Sequence, residues 1–223
     1  MKLIHPRHGY AGALLLALAG CTSSLLETDL PPSKSYVLAP APAAMSNITA
    51  AQVDLSIGRP DLAPGLDTDR IAVLKGQQLD YYRAARWGGR TIEVVQALLV
   101  DSIEDQKLFR SVTAEQARVA GDYVLDVEVR DFQAEYASEN EAPTVNVRMI
   151  GRLIRIVDRK LVGTVSAQTK NKAADNRMTA VAAAFEKAAQ QVAVELAQKT
   201  AAAVAGDEAN LRAARGTSDS AAR

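Results

Sequence analysis

Apolar and polar residues alternate with a period of two in several parts of the chain. The alternation over residues 52–57, 123–130 and 145–149 predicts three half-buried β-strands. Residues 71–74 are apolar on both faces, which predicts a central strand, and Gly76-Gln77 predicts a hairpin turn into a strand over 79–84. Residues 35–38 and 160–169 predict two further strands, the second after a turn at Asp158-Arg159.

Two other segments have the three- and four-residue spacing of amphipathic helices. The first spans 91–106, with Thr91 as its expected N-cap, and the second runs from an N-cap at Asn176 to about residue 204. The stripe of the second helix consists of Met178, Val181, Phe185, Ala188, Val192 and Leu196. The order of elements predicts a single α/β domain, a mixed β-sheet with two long amphipathic helices packed on it. Residues 58–69 and 134–143 are expected to be loops.

The first twenty residues have the layout of a secretory signal peptide. Residues 1–10 are basic without an acid, and residues 11–19 are apolar or glycine throughout. This apolar run is too short for a permanent transmembrane helix, which needs about 20 residues. It ends in Leu18-Ala19-Gly20-Cys21, which contains the only cysteine of the chain.

These four residues resemble the lipobox of bacterial lipoproteins. The resemblance implies that the signal is cleaved between Gly20 and Cys21, and that Cys21 carries a diacylglycerol and an N-linked acyl chain such as palmitate. Two or more chains anchor a protein stably. Thr22, where an aspartate would favour the inner membrane, implies an outer-membrane lipoprotein that faces the periplasm. The alternative interpretation is a buried cysteine in a short apolar helix.

Four regions are therefore expected: a lipoprotein signal peptide at 1–20, a lipidated tether at 21–34, an α/β domain at 35–205 and a disordered tail at 206–223. The tether is expected because residues 22–34 lack any helical or strand period and contain Pro31-Pro32. The tail is expected because residues after Gly206 are small and polar.

Composition narrows the chemistry of the mature chain. Both histidines, His5 and His8, lie in the signal, and the only thiol is the one expected to be acylated. Histidine general bases, Ser-His-Asp triads, zinc sites built on His or Cys, and disulfides are thereby excluded. The 26 basic and 26 acidic residues balance, which argues against a nucleic-acid partner. We expect no metal and no cofactor other than the acyl chains.

One cluster mixes aromatic and basic side chains. Tyr81, Arg86 and Trp87 follow each other along one predicted strand and its end, and they are candidates for a partner contact. The alternative is that the aromatic rings pack in the core while the arginines are solvated.

Further charged groups have less specific patterns. The basic run from 148 to 160 is interpreted either as a contact for lipid phosphates or an acidic partner, or as a solvated strand edge. The acids Glu135, Glu139 and Glu141 lack the spacing of a calcium loop. The pairs Glu104-Asp105 and Asp126/Glu128 are candidates for glycosidase carboxylates, but both are expected on exposed faces.

Several motifs, taken in order, resemble the ABC-type transport auxiliary lipoproteins. They are the opening strand Ser35-Tyr36-Val37-Leu38, the run Ala63-Pro64-Gly65-Leu66-Asp67 through Asp69-Arg70-Ile71-Ala72-Val73, the block Leu79-Asp80-Tyr81 with Arg86-Trp87, and the helix that follows. The chain departs from the family pattern at Gly88-Gly89-Arg90, where an acidic residue and a proline are usual. The resemblance implies partnership with an MCE-domain protein and, through it, with an ABC permease and ATPase that move lipids.

Three functions are therefore open. The first is a lipid-anchored, non-enzymatic accessory subunit of such a transport system, which acts either as a single copy or as a homo-oligomer. The second is a periplasmic carrier that holds one lipid in an apolar cavity. The third is a carboxylate-based hydrolase of cell-wall glycans.

Overall fold

The computed structural model describes residues 32–43, 48–119, 121–138 and 140–221, except for the side chains of 218–221. From Ser33 onward the chain forms one compact unit. The predicted signal, the lipidation site Cys21 and nearly all of the tether lie outside the described residues. The predicted class is confirmed, because the described chain is a single α/β domain with a curled mixed sheet and two helices, of which one is long.

The elements follow each other in the order strands, helix, strands, helix. The strands are β1 Lys34–Tyr36, β2 Ala51–Ile57, β3 Asp61–Leu62, β4 Arg70–Lys75, β5 Gln78–Trp87, β6 Phe109–Ala114, β7 Tyr123–Tyr136, β8 Thr144–Arg155 and β9 Lys160–Lys172. The helices are α1 Thr91–Asp105 and α2 Met178–Ala221, and a 3-10 turn spans Glu115–Ala117.

The long strand β7 organises the sheet. One of its edges pairs antiparallel with β8, which in turn pairs antiparallel with β9. Its other edge is shared by three parallel strands, with β2 beside its start, β3 beside its middle and β4 beside its end. The sheet therefore divides into one wing of β2 and β6 and another of β4, β5 and β1. A register shift between Val129 and Asp131 falls where the two wings part, as expected of a β-bulge that bends a strand.

Helix α2 covers the sheet over β8 and β9, and it also contacts α1. The stripe predicted from the sequence is the buried face: Phe185, Val192 and Leu196 are each 0 % exposed. Burying one such side chain contributes about 2 kcal/mol. The alanines between them are buried too, and their small size lets the helix approach the strands closely. None of the helices in the described ranges combines the length and the apolarity needed to cross a bilayer.

The predicted disordered tail is wrong for the described residues. Helix α2 continues without a break from Met178 to Ala221. The small residues after Gly206 are compatible with a helix, and Asp207 is held by an ion pair to Arg155 in the sheet. This contact between distant parts of the chain does not show in local composition.

Strand β6 was not predicted, and two loop predictions need correction. Strand β6 lies beside β2, where Val112 alternates with polar neighbours over only six residues. Strand β7 continues to Tyr136, so Glu135 belongs to a strand and not to a loop. The loop over 58–69 contains the short strand β3.

Both helices begin at other residues than predicted. The N-cap of α1 is Arg90 and not Thr91, and the carboxylate of Glu93 accepts the Arg90 backbone N–H at 3.4 Å. In α2 the first turn forms on the carbonyl of Arg177, which accepts from Ala180 and Val181. Asn176 is not the cap: its side-chain oxygen accepts a hydrogen bond of 2.5 Å from the Tyr136 hydroxyl.

Candidate functional site

Trp87, the last residue of β5, lies in the core. It is 1 % exposed and contacts the rings of Phe132 and Phe185, with centroid distances of 5.8 and 5.2 Å. The two phenylalanines also pack on each other at 5.3 Å. The cluster joins β5, β7 and α2, so the indole is a packing residue and its ring offers no surface to a partner.

The two other residues of the predicted partner contact are nearer the surface. The Tyr81 ring lies under the guanidinium of Arg70 at 4.2 Å, and its hydroxyl donates to the Gly65 carbonyl at 2.7 Å. Arg86 donates to Ser33 at 3.1 Å and forms an ion pair of 3.4 Å with Asp69. We call these three side chains, Arg70, Tyr81 and Arg86, the β4–β5 surface.

The loop before β4 supplies the acids of this region. Asp69 pairs with Arg86, and Asp67 pairs with Arg90 at the start of α1. The Trp87 backbone N–H donates to the Asp69 carbonyl at 2.7 Å, which fixes the loop to the end of β5. The two acids hold Arg86 and Arg90 in fixed positions on an exposed surface, which would suit the binding of a partner.

A second group of charges lies where β7 begins and β8 ends. Arg155 donates to Asp207 at 2.7 Å, and the Tyr123 hydroxyl donates to the same carboxylate at 2.9 Å. The side chains of Arg155 and Asp207 are each only 9 % exposed. Burial and the neighbouring Asp207 carboxylate raise the pKa of Tyr123 above its ordinary value. The ion pair therefore fastens the last part of α2 to the sheet.

The outer side of Arg155 binds a further acid. Its Nε and Nη2 atoms donate to the two oxygens of Asp158 at 3.0 and 2.7 Å. This bidentate contact lowers the pKa of Asp158 to about 2. The basic run of 148–160 is accordingly not a row of free cations, since Arg148 pairs with Asp131 and Arg152 with Glu128.

An open cleft of about 360 Å³ adjoins these residues. Its wall includes Arg110, whose guanidinium bonds Asp54 and, at 3.1 Å, Asp122. The hydrogen bonds from Arg110 and Ser111 lower the pKa of Asp54 to about 2. Each charged side chain that lines the cleft already has an ion-pair partner.

The candidate catalytic acids do not form a constellation in the described residues. Glu128 is engaged by Arg130 and Arg152, which lower the pKa of its carboxyl. Of the acids that were considered for calcium, Glu135 accepts from Asn146 and Lys170 in the sheet, while Glu139 lies outside the described residues. No group of three or more His, Cys, Asp or Glu side chains converges within the part of the chain that the structure describes.

The pairing of Arg155 with Asp207 was not predicted from the sequence. A signal was present, because the buried stripe of α2 continues beyond Leu196 through Thr200 and Val204 to Asp207 at the same spacing. An acid on a buried stripe implies a cationic partner. The partner lies 52 residues away in sequence, so only the fold identifies it.

A protein-family model described as the ABC-type transport auxiliary lipoprotein component matches residues 36–197. The crystal structure of protein XCC0632 from Xanthomonas campestris matches with a TM-score of 0.73 at 24 % identity, over 79 % of this chain and 99 % of that one. The crystal structure of an uncharacterized protein matches with a TM-score of 0.61 at 14 % identity, over 76 % and 99 % of the two chains. Among curated proteins, no match was found. At these identities the two structures establish the fold alone.

Proposed function

The chain belongs to the ABC-type transport auxiliary lipoprotein family, and from this membership we propose that it is a non-enzymatic, lipid-anchored subunit of an ABC/MCE-type system that moves lipids or other hydrophobic molecules across the periplasm. The observation that carries the proposal is the family match over residues 36–197, which spans the domain from the end of β1 into the first half of α2. A subunit of this kind works by holding partners together.

The paired charges support a role in recognition. On the β4–β5 surface the arginines are positioned by Asp69 and by the Tyr81 ring, so little side-chain freedom is lost when a partner binds. Of the acids that were candidates for catalysis, Glu128 is engaged by Arg152 and Arg130, which keep its carboxyl ionised and unsuited to act as a general acid.

The proposed membrane anchor is the acylated Cys21. The lipobox-like Leu18-Ala19-Gly20-Cys21 supports it, and Thr22 favours the outer membrane with the domain on the periplasmic side. Eleven residues separate Cys21 from Ser33, where the compact unit begins. When extended they reach about 40 Å, so the domain can stand away from the lipid surface.

The proposed partner is an MCE-domain protein, which would connect the chain to a permease and an ATPase. We assign the contact to Arg86 and Tyr81 of the β4–β5 surface, with several copies of the chain acting together as a homo-oligomer where the partner requires it. Trp87 supports this surface from the core and does not touch the partner.

The test is an affinity capture of the tagged chain from detergent-solubilised membranes. We expect enrichment of an MCE-domain protein, and a loss of about tenfold with Arg86→Glu, because an acid there repels what the arginine attracts. Arg83→Glu is the matched control, since Arg83 is exposed on the same strand. If the unaltered chain enriches no MCE-domain protein, the proposed function is wrong. If Arg83→Glu is as harmful as Arg86→Glu, the function stands and the assigned surface is wrong.

A further inference from the structure

The turn between β8 and β9 places apolar side chains in solvent. Residues 156–161 are all exposed, and we call this segment the β8–β9 tip. Ile156, Val157 and Leu161 are 41 %, 88 % and 54 % exposed. They are three of the seven large apolar residues that are exposed in the described parts of the chain. Isolated exposed apolar residues are ordinary, but three within six positions form a patch.

The loop before β7 lies against the tip and extends the patch. The Ile156 backbone N–H donates to the Asp122 carbonyl at 3.0 Å. A Cβ atom added to Gly121 would lie 3.4 Å from the Ile156 side chain. Val119, two residues earlier, is 55 % exposed. One end of the domain therefore presents four apolar side chains from two segments that meet.

The charge around this patch is positive. Arg118, Arg159 and Lys160 are all exposed there. The acids at the same end are occupied: Asp158 is bound by Arg155 at 2.7 Å, Asp122 by Arg110 at 3.1 Å, and Glu208 by Arg212 at 3.1 Å. The positive charges of these three side chains are consequently available to a negatively charged surface outside the domain.

We propose that the β8–β9 tip is a second membrane contact, which inserts its apolar side chains among the headgroups of an anionic bilayer. Apolar side chains flanked by lysine and arginine are the combination that binds anionic lipid surfaces, since burial and charge attraction add. The tip is a short turn between two strands whose side chains are exposed to solvent, so it is suited to enter a soft surface. The proposal rests on the proposed function only in placing the chain beside a membrane.

The two ends of β7 supply the geometry for a test. The tip follows Arg155, which pairs with Tyr123 at the start of β7. The β4–β5 turn at Gln77 follows Lys75, which pairs with Tyr136 at the other end of that strand. The two turns are therefore separated by the length of β7, about 40 Å.

The experiment uses the full chain reconstituted in vesicles of phosphatidylcholine and phosphatidylglycerol. Val157→Cys and, as the matched control, Gln77→Cys are labelled with an environment-sensitive fluorophore, and the bilayer carries a lipid-linked quencher. We expect a blue shift and quenching at position 157 and neither at position 77. Arg159→Gln with Lys160→Gln should lower the quenched fraction about twofold or more, as should vesicles without the anionic lipid.

Several results would overturn the proposal. One is an unquenched label at 157, and another is equal quenching at 157 and 77. A label at 157 that ignores lipid but shifts when solubilised membrane proteins are added would identify the tip as a protein contact instead. The failure of the anchor is seen separately, because Cys21 of the unaltered chain would then have a free thiol and would take up label.

Discussion

The guanidinium of Arg155 donates to the carboxylate of Asp207 across 2.7 Å, and this contact joins the end of β8 to the last part of α2. Tyr123 donates to the same carboxylate, so three elements meet at one buried acid. The contact explains why the helix continues as an ordered part of the domain beyond Gly206.

Removing the acid of this contact is expected to destabilise the protein. Asp207→Ala leaves the Arg155 guanidinium and the Tyr123 hydroxyl without their buried acceptor, and we expect a loss of about 2 kcal/mol in the free energy of unfolding. Glu208→Ala is the control: its pair with Arg212 is exposed on the arginine side, so it should cost at most about 0.5 kcal/mol. Urea unfolding measures both, and equal losses would contradict a special role for Asp207.

The aromatic cluster is expected to contribute more than any surface residue. Phe185→Ala removes a ring that is 0 % exposed and touches both Trp87 and Phe132, and should cost about 3–5 kcal/mol. Trp87 is the only tryptophan, so its fluorescence reports the change directly. Val157→Ala, at an 88 % exposed position, should leave stability within about 0.5 kcal/mol. A native-like midpoint for Phe185→Ala would argue against this packing.

Two glycines of neighbouring strands should respond in opposite directions. A Cβ at Gly151 would lie 2.8 Å from Leu125 and 3.1 Å from Val165, so Gly151→Ala should destabilise by about 1–3 kcal/mol. A Cβ at Gly163 would meet only Ala203, at 4.0 Å. Gly163→Ala should therefore stabilise by about 0.5 kcal/mol, because the unfolded chain loses freedom. Melting temperatures that change in the same direction would contradict the assigned packing of β8 between β7 and β9.

Stability is expected to fall in acid through two carboxylates. The pKa values of Asp54 and Asp158 are lowered from 3.8 to about 2 by arginine. A carboxyl whose pKa is lower in the folded than in the unfolded protein stabilises the fold at pH values above its unfolded-state pKa. This stabilisation is lost as the pH falls from about 4 to about 2. Urea midpoints across this interval should decline, and Asp54→Asn should reduce the slope. An unchanged slope in Asp54→Asn would show that the contact with Arg110 does not persist in solution.

Cys21→Ser should abolish the proposed acylation. We expect the variant to remain uncut, to incorporate no labelled palmitate, and to be lost from the outer-membrane fraction, because the serine hydroxyl is not alkylated as a thiolate is. Thr22→Ser is the control and should be processed normally. Palmitate incorporation into Cys21→Ser, or outer-membrane recovery of a chain processed as before, would contradict the anchor.

The amino-acid sequence alone was sufficient to predict the class of fold, most of the strands and the buried stripe of α2. Those features depend on periodicity. Between Met178 and Leu196, the spacing of apolar residues that are near in sequence is enough to indicate which face of the helix is buried. The position of the first helix also follows from local spacing, although its cap is Arg90, because Glu93 completes the first turn there.

Tertiary contacts decided the features that periodicity does not indicate, namely the surroundings of Trp87 and the continuation of α2 beyond Gly206. The sequence around Trp87 is compatible with either a surface ring or a core ring. The contacts with Phe132 and Phe185, which lie 45 and 98 residues away in sequence, place the ring in the core. The helix beyond Gly206 has weak apolar character of its own and is held by Arg155. Local pattern determines which face of an element is apolar, because neighbours in sequence share that face; which distant charge or ring meets it depends on the path of the chain, and this is why the partners of Asp207 and Trp87 appeared only in the folded structure.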